Sequence, residues 1–364
     1  MSYAFDHQDE QFHRAFDVLR SGITQHAFPG AAVAIAHQGK LIANKGLGRF
    51  TYSRCSRRIE RLRFYDLASV TKVIATTPAC MVLYDRGQFH LEQPLVELLP
   101  AFDGGDPRRR RVTLRMLLAH SSGLPAYVKL FQTAHNKDEL IQQALAVPLS
   151  ADPGARPEYS DIGFILLGEV IQRIAGEPLD AFCEREIFDQ LKLLTRFNPP
   201  KYPVRGLTPP TEKDRTFRRR VIQAEVNDEN AWVMGGVAGH AGCFSTAPDV
   251  SEFAQCMLRG GTALTQPEIV RPETVAIFTR REEFPPGTSR ALGWDTPSQP
   301  SQSGKYFSSR SYGHLGYTGT SLWIDPDRQL SVTLLTNRTW PDRGSQAIKQ
   351  IRPAFHDAVV EALK

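Results

Sequence analysis

Apolar residues recur at helical spacing between positions 8 and 27, at Phe12, Phe16, Val18, Leu19 and Ile23, and stop before Pro29-Gly30, which predicts an amphipathic N-terminal helix. Two short β-leaning runs follow, AAVAIAH at 31–37 and KLIANKGLG at 40–48, joined at Gln38-Gly39-Lys40 as an antiparallel hairpin. A basic loop spans 53–63. From Ser69 to about Arg86 the chain reads as an unusually apolar helix closed by Gly87, with an irregularity expected at Pro78. A helix that apolar must be buried. Between 90 and 235 the periodicity is mainly helical, at 112–120, 138–146, 162–176 and 179–193, with no strand series. Residues 198–230, rich in proline and charge, read as an extended loop. A second hairpin around Pro326-Asp327 and a closing helix at 346–364 complete the pattern.

Strands near both ends with helices between them imply an α+β fold, an α/β sandwich. One antiparallel sheet is assembled from both termini and flanked by helices, and a mainly helical lobe is inserted between them. The expected lobes are 1–72 with 235–364 around the sheet, and 73–234 for the helices, with an active site in the cleft between them. Composition is that of an ordinary globular chain of 364 residues, 41% hydrophobic and 23% charged. Five cysteines, odd in number and without CxxC spacing, predict neither a disulfide framework nor structural zinc. Net charge of +5 comes with arginine clusters at 57–63, 108–111 and 218–220, but no nucleic-acid recognition module accompanies them, so they read as solvated loops and no nucleic-acid partner is expected. No apolar stretch is long enough to span a membrane, and acidic residues stand where a signal peptide is apolar. A cytoplasmic address is therefore expected as the chain is written, and a periplasmic or secreted one if a leader has been removed.

The chemistry concentrates at the start of the buried helix. Ser69-Val70-Thr71-Lys72 is an S-x-x-K element, and helical spacing places the lysine one turn after the serine on the same face. A serine hydroxyl needs an adjacent base, and a lysine serves only where burial or nearby cations adjust its pKa. Backbone N–H groups at the helix start point toward any oxyanion formed at Ser69. Tyr159-Ser160-Asp161 precedes a strongly apolar helix, with Asp161 the natural N-cap and the Tyr159 phenol available to relay a proton. Gly313 to Ser321, with three glycines, leads into the last hairpin and allows a substrate to approach the backbone closely. Other chemistries fit poorly. Asp228, Glu229 and His240 do not match a mononuclear metal site, no G-x-S-x-G elbow is present, and Gly235 to Gly242 lacks the G-x-G-x-x-G order. No metal or other cofactor is expected.

In order, S-x-x-K, Y-S-D and H-L-G resemble the S-x-x-K, Y-x-N and K-T-G motifs of the serine β-lactamase and penicillin-binding-protein superfamily. The stretches FPGAAVAIAHQGK, LLAHSSGLPAY and GGVAGHAGCFSTAPDV read like the branch of class C β-lactamases, small D-alanyl-D-alanine peptidases and esterases on that fold. The likeness spans roughly residues 28 to 340. It implies that Ser69 is acylated, that Lys72 and Tyr159 share general-base and general-acid work, and that the N–H groups of Ser69 and Tyr317 form an oxyanion hole. It also places Asp161, His314 and Gly316 against the substrate. His314 stands where the family often has lysine, and Asp161 where it has asparagine. A histidine of ordinary pKa about 6.5 captures a carboxylate weakly at neutral pH. A carboxylate at 161 favours the protonated form of Lys72. The implied function is acyl-enzyme hydrolysis of small esters or peptide-like amides. The alternatives are D-alanyl-D-alanine carboxypeptidase or endopeptidase action, weak β-lactam hydrolysis, and a penicillin-binding sensor that acylates without turnover.

Overall fold

The computed structural model describes residues 5, 7–198, 204–263 and 268–364. In chain order its strands are β1 (Gly30–His37), β2 (Lys40–Gly48), β3 (Tyr65–Asp66), β4 (Arg196–Phe197), β5 (Glu212–Lys213), β6 (Val221–Ile222), β7 (Cys243–Ser245), β8 (Tyr312–Leu315), β9 (Ser321–Asp325) and β10 (Leu330–Thr336). The main sheet runs β2-β1-β10-β9-β8, antiparallel throughout, so the C-terminal hairpin is zipped onto the N-terminal one through β1 and β10. Side chains alternate across it. Ala31, Val33, Ile35, Val332 and Leu334 face a core shared with the helices His13–Thr24 and Ile348–Glu361. Ala32, Ala34, Leu322, Ile324 and Leu335 face a larger core that includes the helix Ala247–Leu258 and the helical region 73–193. Burying both faces explains why β1 is apolar along nearly its whole length.

Local chemistry corrects several expectations. The N-terminal helix is broken at Phe12 and ends at Thr24. The first hairpin turns on two residues, Gln38 and Gly39, both with positive φ, and Lys40 already belongs to β2. The helix after Ser69 is not uniform: a 3-10 turn at Ala68–Val70 and a π turn at Lys72–Thr76 precede the α-helix Thr77–Asp85. Pro78 sits in the first turn of that α-helix, and the irregularity falls on the turn before it, where the proline removes a donor and crowds the carbonyl of residue 74. Within 198–230 lies a small β5–β6 hairpin, and β4 joins β3 and β7 in a three-stranded sheet, because these short pairings carry no periodicity a sequence can display. The H-L-G motif, expected to lead into the last hairpin, already belongs in part to a strand. His314 and Leu315 end β8, an outer strand of the main sheet.

Two close backbone approaches set the relation of this sheet layer to the helix Asp161–Ala175. A Cβ on Gly239 stands 2.1 Å from the carbonyl oxygen of Phe164 and 2.9 Å from the amide nitrogen of Gly168, so helix and loop meet backbone to backbone. Thr76 reinforces the contact by donating its hydroxyl to the carbonyl of Gly239 at 2.6 Å. Gly239→Ala is expected to destabilise the fold by about 1–3 kcal/mol, the cost of overpacking a filled interior. Urea denaturation of the two proteins measures it, and equal midpoints refute the close-packing account.

Candidate active site

Ser69 lies on a strained corner. Ala68, just before it, has φ +47, an unusual conformation for a residue with a Cβ. Three bonds hold the corner: the Ala68 amide donates to Asp66 Oδ1 at 2.9 Å, and the hydroxyls of Thr318 and Thr320 donate to the carbonyls of Asp66 and Leu67, each at 2.8 Å. Burial pushes the Asp66 carboxyl up to about 6, against the pull of the Asn227 and Ala68 amides it accepts. Gly316 is needed here for space, because a Cβ on it falls 1.9 Å from Thr320 Oγ1 and 2.4 Å from the Leu67 carbonyl oxygen.

Lys72, with no exposed surface, joins the parts. Its ammonium donates to Ser69 Oγ at 3.0 Å, Asp161 Oδ1 at 2.7 Å and the His240 carbonyl at 3.1 Å. The Lys72 ammonium also lies 4.9 Å from the ring centroid of Tyr159, whose phenol is close enough to act on both Lys72 and Ser69. Burial works against charge on Lys72, yet Asp161 and Tyr159 together hold its pKa above the ordinary lysine value. Burial and the Asp161 carboxylate push the Tyr159 phenol up, with Lys72 pulling the other way. At neutral pH the cluster therefore contains a cationic lysine, paired with the Asp161 carboxylate, and a neutral phenol.

The expected N-cap role of Asp161 is taken by Ser160. Its hydroxyl accepts the Gly163 amide at 3.1 Å and donates to the Pro125 carbonyl at 2.8 Å, in an extended conformation that suits a cap. Asp161, one residue later, has its carboxylate free for Lys72. Tyr159 is held by a residue to which the sequence pointed only within a family-like stretch: His120 accepts the Glu158 amide on its carbonyl at 2.8 Å and the Ser160 amide on Nδ1 at 3.0 Å. Its ring lies 4.5 Å from that of Tyr159. Asp228, Glu229 and His240 are engaged separately. His240 Nε2 donates to Asp228 Oδ1 at 2.8 Å, and Glu229 accepts from Arg343 at 2.8 Å. Among the described residues no group of three or more acidic, histidine or cysteine side chains is placed to hold a metal ion.

His314 faces this cluster from β8, its ring centroid 5.9 Å from that of Tyr159. Nδ1–H donates to the Leu315 carbonyl at 2.8 Å, which leaves Nε2 as a bare acceptor, buried and without a partner. Burial, then Lys72 and Arg290, hold its pKa well below the ordinary histidine range. The weakly cationic histidine expected at this position is thus neutral. Tyr317 is half-exposed, with the Arg338 guanidinium 4.3 Å from its ring centroid and Arg338 Nε donating to its carbonyl at 2.7 Å. The backbone amides of Ser69 and Tyr317 make no hydrogen bond among the described residues. Ser69, Tyr159, Asp161, His240, His314 and Tyr317 all line one cleft of about 1230 Å³.

The family profile described as Beta-lactamase matches residues 14–354. This chain belongs to the β-lactamase family. It is a serine hydrolase of that family with the α+β fold of its members. Among curated proteins it is 32% identical over 347 residues to an N-acetylmuramyl-L-alanine amidase of Bacillus subtilis, covering 85% of this chain and 77% of that protein. It is 33% identical over 304 residues to a provisionally named D-alanyl-D-alanine carboxypeptidase of Escherichia coli, covering 75% and 69%. Among solved structures, a class C β-lactamase of Rhodobacter sphaeroides shares the fold with a TM-score of 0.73 at 19% identity, covering 97% and 100%. Among the described residues no helix is long and apolar enough to cross a membrane.

Stability should fall as pH drops below about 6.5, the ordinary histidine value at which the unfolded chain takes up protons. Burial holds His120 and His314 well below that range in the folded chain and pushes His356 down to about 3, so these three stay neutral while folded. Three extra histidine protons on the unfolded state, offset by about one that the folded chain takes up at Asp66 below its pKa of about 6, make the slope approach about 3 kcal/mol per pH unit near pH 5. Denaturation at a series of pH values measures it. His120→Asn, which retains an acceptor toward the Ser160 amide and does not titrate, is expected to remove one proton from the slope. An unchanged slope contradicts the assignment.

Proposed function

We propose that Ser69 is the nucleophile of an acyl-enzyme hydrolase acting on small peptide-like amides or esters, in a cleft between the sheet lobe (1–72 with 235–364) and the helical lobe (73–234). The observation that carries the reading is Lys72, wholly buried and donating at once to Ser69 Oγ and Asp161 Oδ1. The names of the two curated relatives support amide bonds of peptide-like compounds as the substrate class.

Lys72 has no lone pair at rest, since it is cationic and its protons are directed at acceptors. Asp161 is the anion beside it. As Ser69 Oγ bonds to the substrate carbonyl carbon, its proton passes to Lys72 Nζ, and Lys72 gives one of its own to Asp161 Oδ1 along the 2.7 Å hydrogen bond. The oxyanion is met by the amides of Ser69 and Tyr317, which have no competing partner among the described residues. Tyr159 protonates the leaving amine or alcohol and recovers a proton from Asp161 through Lys72. Water then enters, passes a proton back by the reverse route, and releases the acid and Ser69. His314, near the end of β8, and Gly316 just after it face the substrate.

A panel of p-nitrophenyl esters and short peptide amides, run on wild type and variants with intact-protein mass spectrometry, tests the reading. Wild type is expected to turn over members of the panel and to carry one acyl mass adduct during steady state. Ser69→Ala should lose at least about 10³-fold in kcat and carry no adduct. Tyr159→Phe should lose about 10²–10⁴-fold in kcat, the usual contribution of a positioned acid or base. Turnover persisting in Ser69→Ala overturns the proposal.

A further inference from the structure

Asp66 is a buried carboxylate that no step of the reaction uses. It ends β3 shortly before Ser69, is 1% exposed and does not line the cleft. Its two oxygens are taken by backbone amides from separate parts of the chain: Oδ1 accepts from Ala68 at 2.9 Å and Oδ2 from Asn227 at 2.6 Å. Both amides bear on the site. Ala68 is the left-handed residue that presents Ser69. Asn227 precedes Asp228, whose carboxylate caps the helix Glu229–Val233 and accepts from His240 Nε2 at 2.8 Å, and the carbonyl of that same His240 takes the Lys72 ammonium at 3.1 Å. Arg218 holds Asn227 from its other side, donating Nη2 to its carbonyl at 2.6 Å. One carboxylate thus fastens the nucleophile's corner to the loop that supports an acceptor of Lys72.

Ionised, Asp66 gives each amide an acceptor. Protonated, it carries an O–H where one acceptor stood, so one of two buried amides faces a donor and must move. Burial is the first cause that raises this carboxyl to about 6; the Asn227 and Ala68 amides and Arg218 lower it, and Asp228 raises it further. Burial works against the charge of Asp228, but His240 and the Ala231 amide hold its pKa low, so it stays anionic. On β7 the Cys243 thiol is kept neutral by burial, and the turn after β8 contributes the uncharged Thr318 hydroxyl to the Asp66 backbone carbonyl. The neighbouring site groups titrate elsewhere. His120 and His314 are held well below the ordinary histidine range, and Lys72 and Tyr159 above their ordinary values.

We propose that the ionised Asp66 carboxylate is a positioning residue that locks the corner of Ser69 to the loop at Asn227, and that one proton taken up there releases Ser69 from its working geometry. The inference rests on the hydrolase reading and adds a switch to it: the enzyme works at neutral pH and is disabled in mildly acidic surroundings while still folded.

The pH profile of the wild type and the amide of Asn227 test it together. Between about pH 7.5 and 5, kcat for a turned-over ester is expected to fall about tenfold with a midpoint of about 6 and KM to change little, because Asp66 does not touch the substrate. Near-UV circular dichroism at each pH verifies that the fold persists. In protein labelled with 15N-asparagine, the Asn227 amide proton is expected to shift upfield over the same range as its charge-assisted bond weakens. Asp66→Asn, with one acceptor oxygen and an NH2 donor facing two amides, is a permanent analogue of the protonated acid. It should lose about tenfold or more in kcat at pH 7.5, and neither its kcat nor its Asn227 amide should respond to pH in this range. The wild-type profile and amide shift decide the matter if the variant does not fold. A level wild-type kcat from pH 7.5 to 5, an Asn227 amide that does not titrate, or an acidic fall that persists in Asp66→Asn overturns the lock. An Asn227 amide that titrates in a wild type turning over no ester or amide at any pH sinks the hydrolase reading alone, and turnover with a level profile sinks the lock alone.

Discussion

The buried ion pair between Lys72 and Asp161 is the constraint around which the rest is arranged. An ammonium with no solvent exposure costs several kcal/mol in desolvation, and it is tolerated only when charge and hydrogen bonds surround it. The carboxylate at 2.7 Å, the His240 carbonyl at 3.1 Å and the Ser69 hydroxyl at 3.0 Å come from three separated segments. Each must therefore be brought to the same point. The glycines at 168 and 239 let the helix and loop meet closely enough, and Ser160 caps the helix so that Asp161 is spared that duty. Removing one partner of such a pair leaves an uncompensated charge worth about 3–5 kcal/mol. Fold stability and the proton inventory of the site are thus the same quantity seen from two sides.

A second constraint works on the backbone. The left-handed Ala68 presents Ser69 at the cleft, and that conformation survives because Asp66, Thr318 and Thr320 bond its neighbours. Those threonines flank the turn that also carries Tyr317, whose carbonyl is held by Arg338. One set of bonds therefore positions both amides of the proposed oxyanion hole. The strain at 68 and the order at 317 depend on each other, and loosening either end moves both.

Much of this was legible in the sequence, for reasons that differ by residue. The two hairpins and the long apolar helices announce themselves by periodicity, and S-x-x-K, Y-S-D and H-L-G are local enough to be read as units. Three features were not legible. A two-residue strand such as β4 carries no period, so its pairing with β7 is a tertiary outcome. The choice of Ser160 over Asp161 as cap depends on a salt bridge to a lysine 89 positions away, and local propensity favours either residue. His120 clasps Glu158 and Ser160 through contacts 38 and 40 positions apart, which no spacing rule encodes. Burial also reversed an electrostatic reading: a histidine of ordinary pKa is a weak cation at neutral pH, but His314, enclosed beside Lys72 and Arg290, is a hydrogen-bond acceptor.

That reversal bears on how one fold serves different substrates. The K-T-G pattern that this chain resembles at 314–316 sets a lysine near the reacting serine, where the resemblance implies contact with a substrate carboxylate or polar tail. Here a cation at 314 would be buried beside Lys72 and Arg290, and the low pKa of His314 expresses that burial first and the repulsion second. Unpaired positive charge of the cleft lies instead on Arg338, Lys349 and Arg352, which make no ion pair among the described residues, whereas Arg343 between them is neutralised by Glu212 and Glu229. The candidate catalytic residues and this unpaired charge are therefore carried by different elements, the turns around Ser69 and Tyr159 for the one and the segment after β10 with the closing helix for the other.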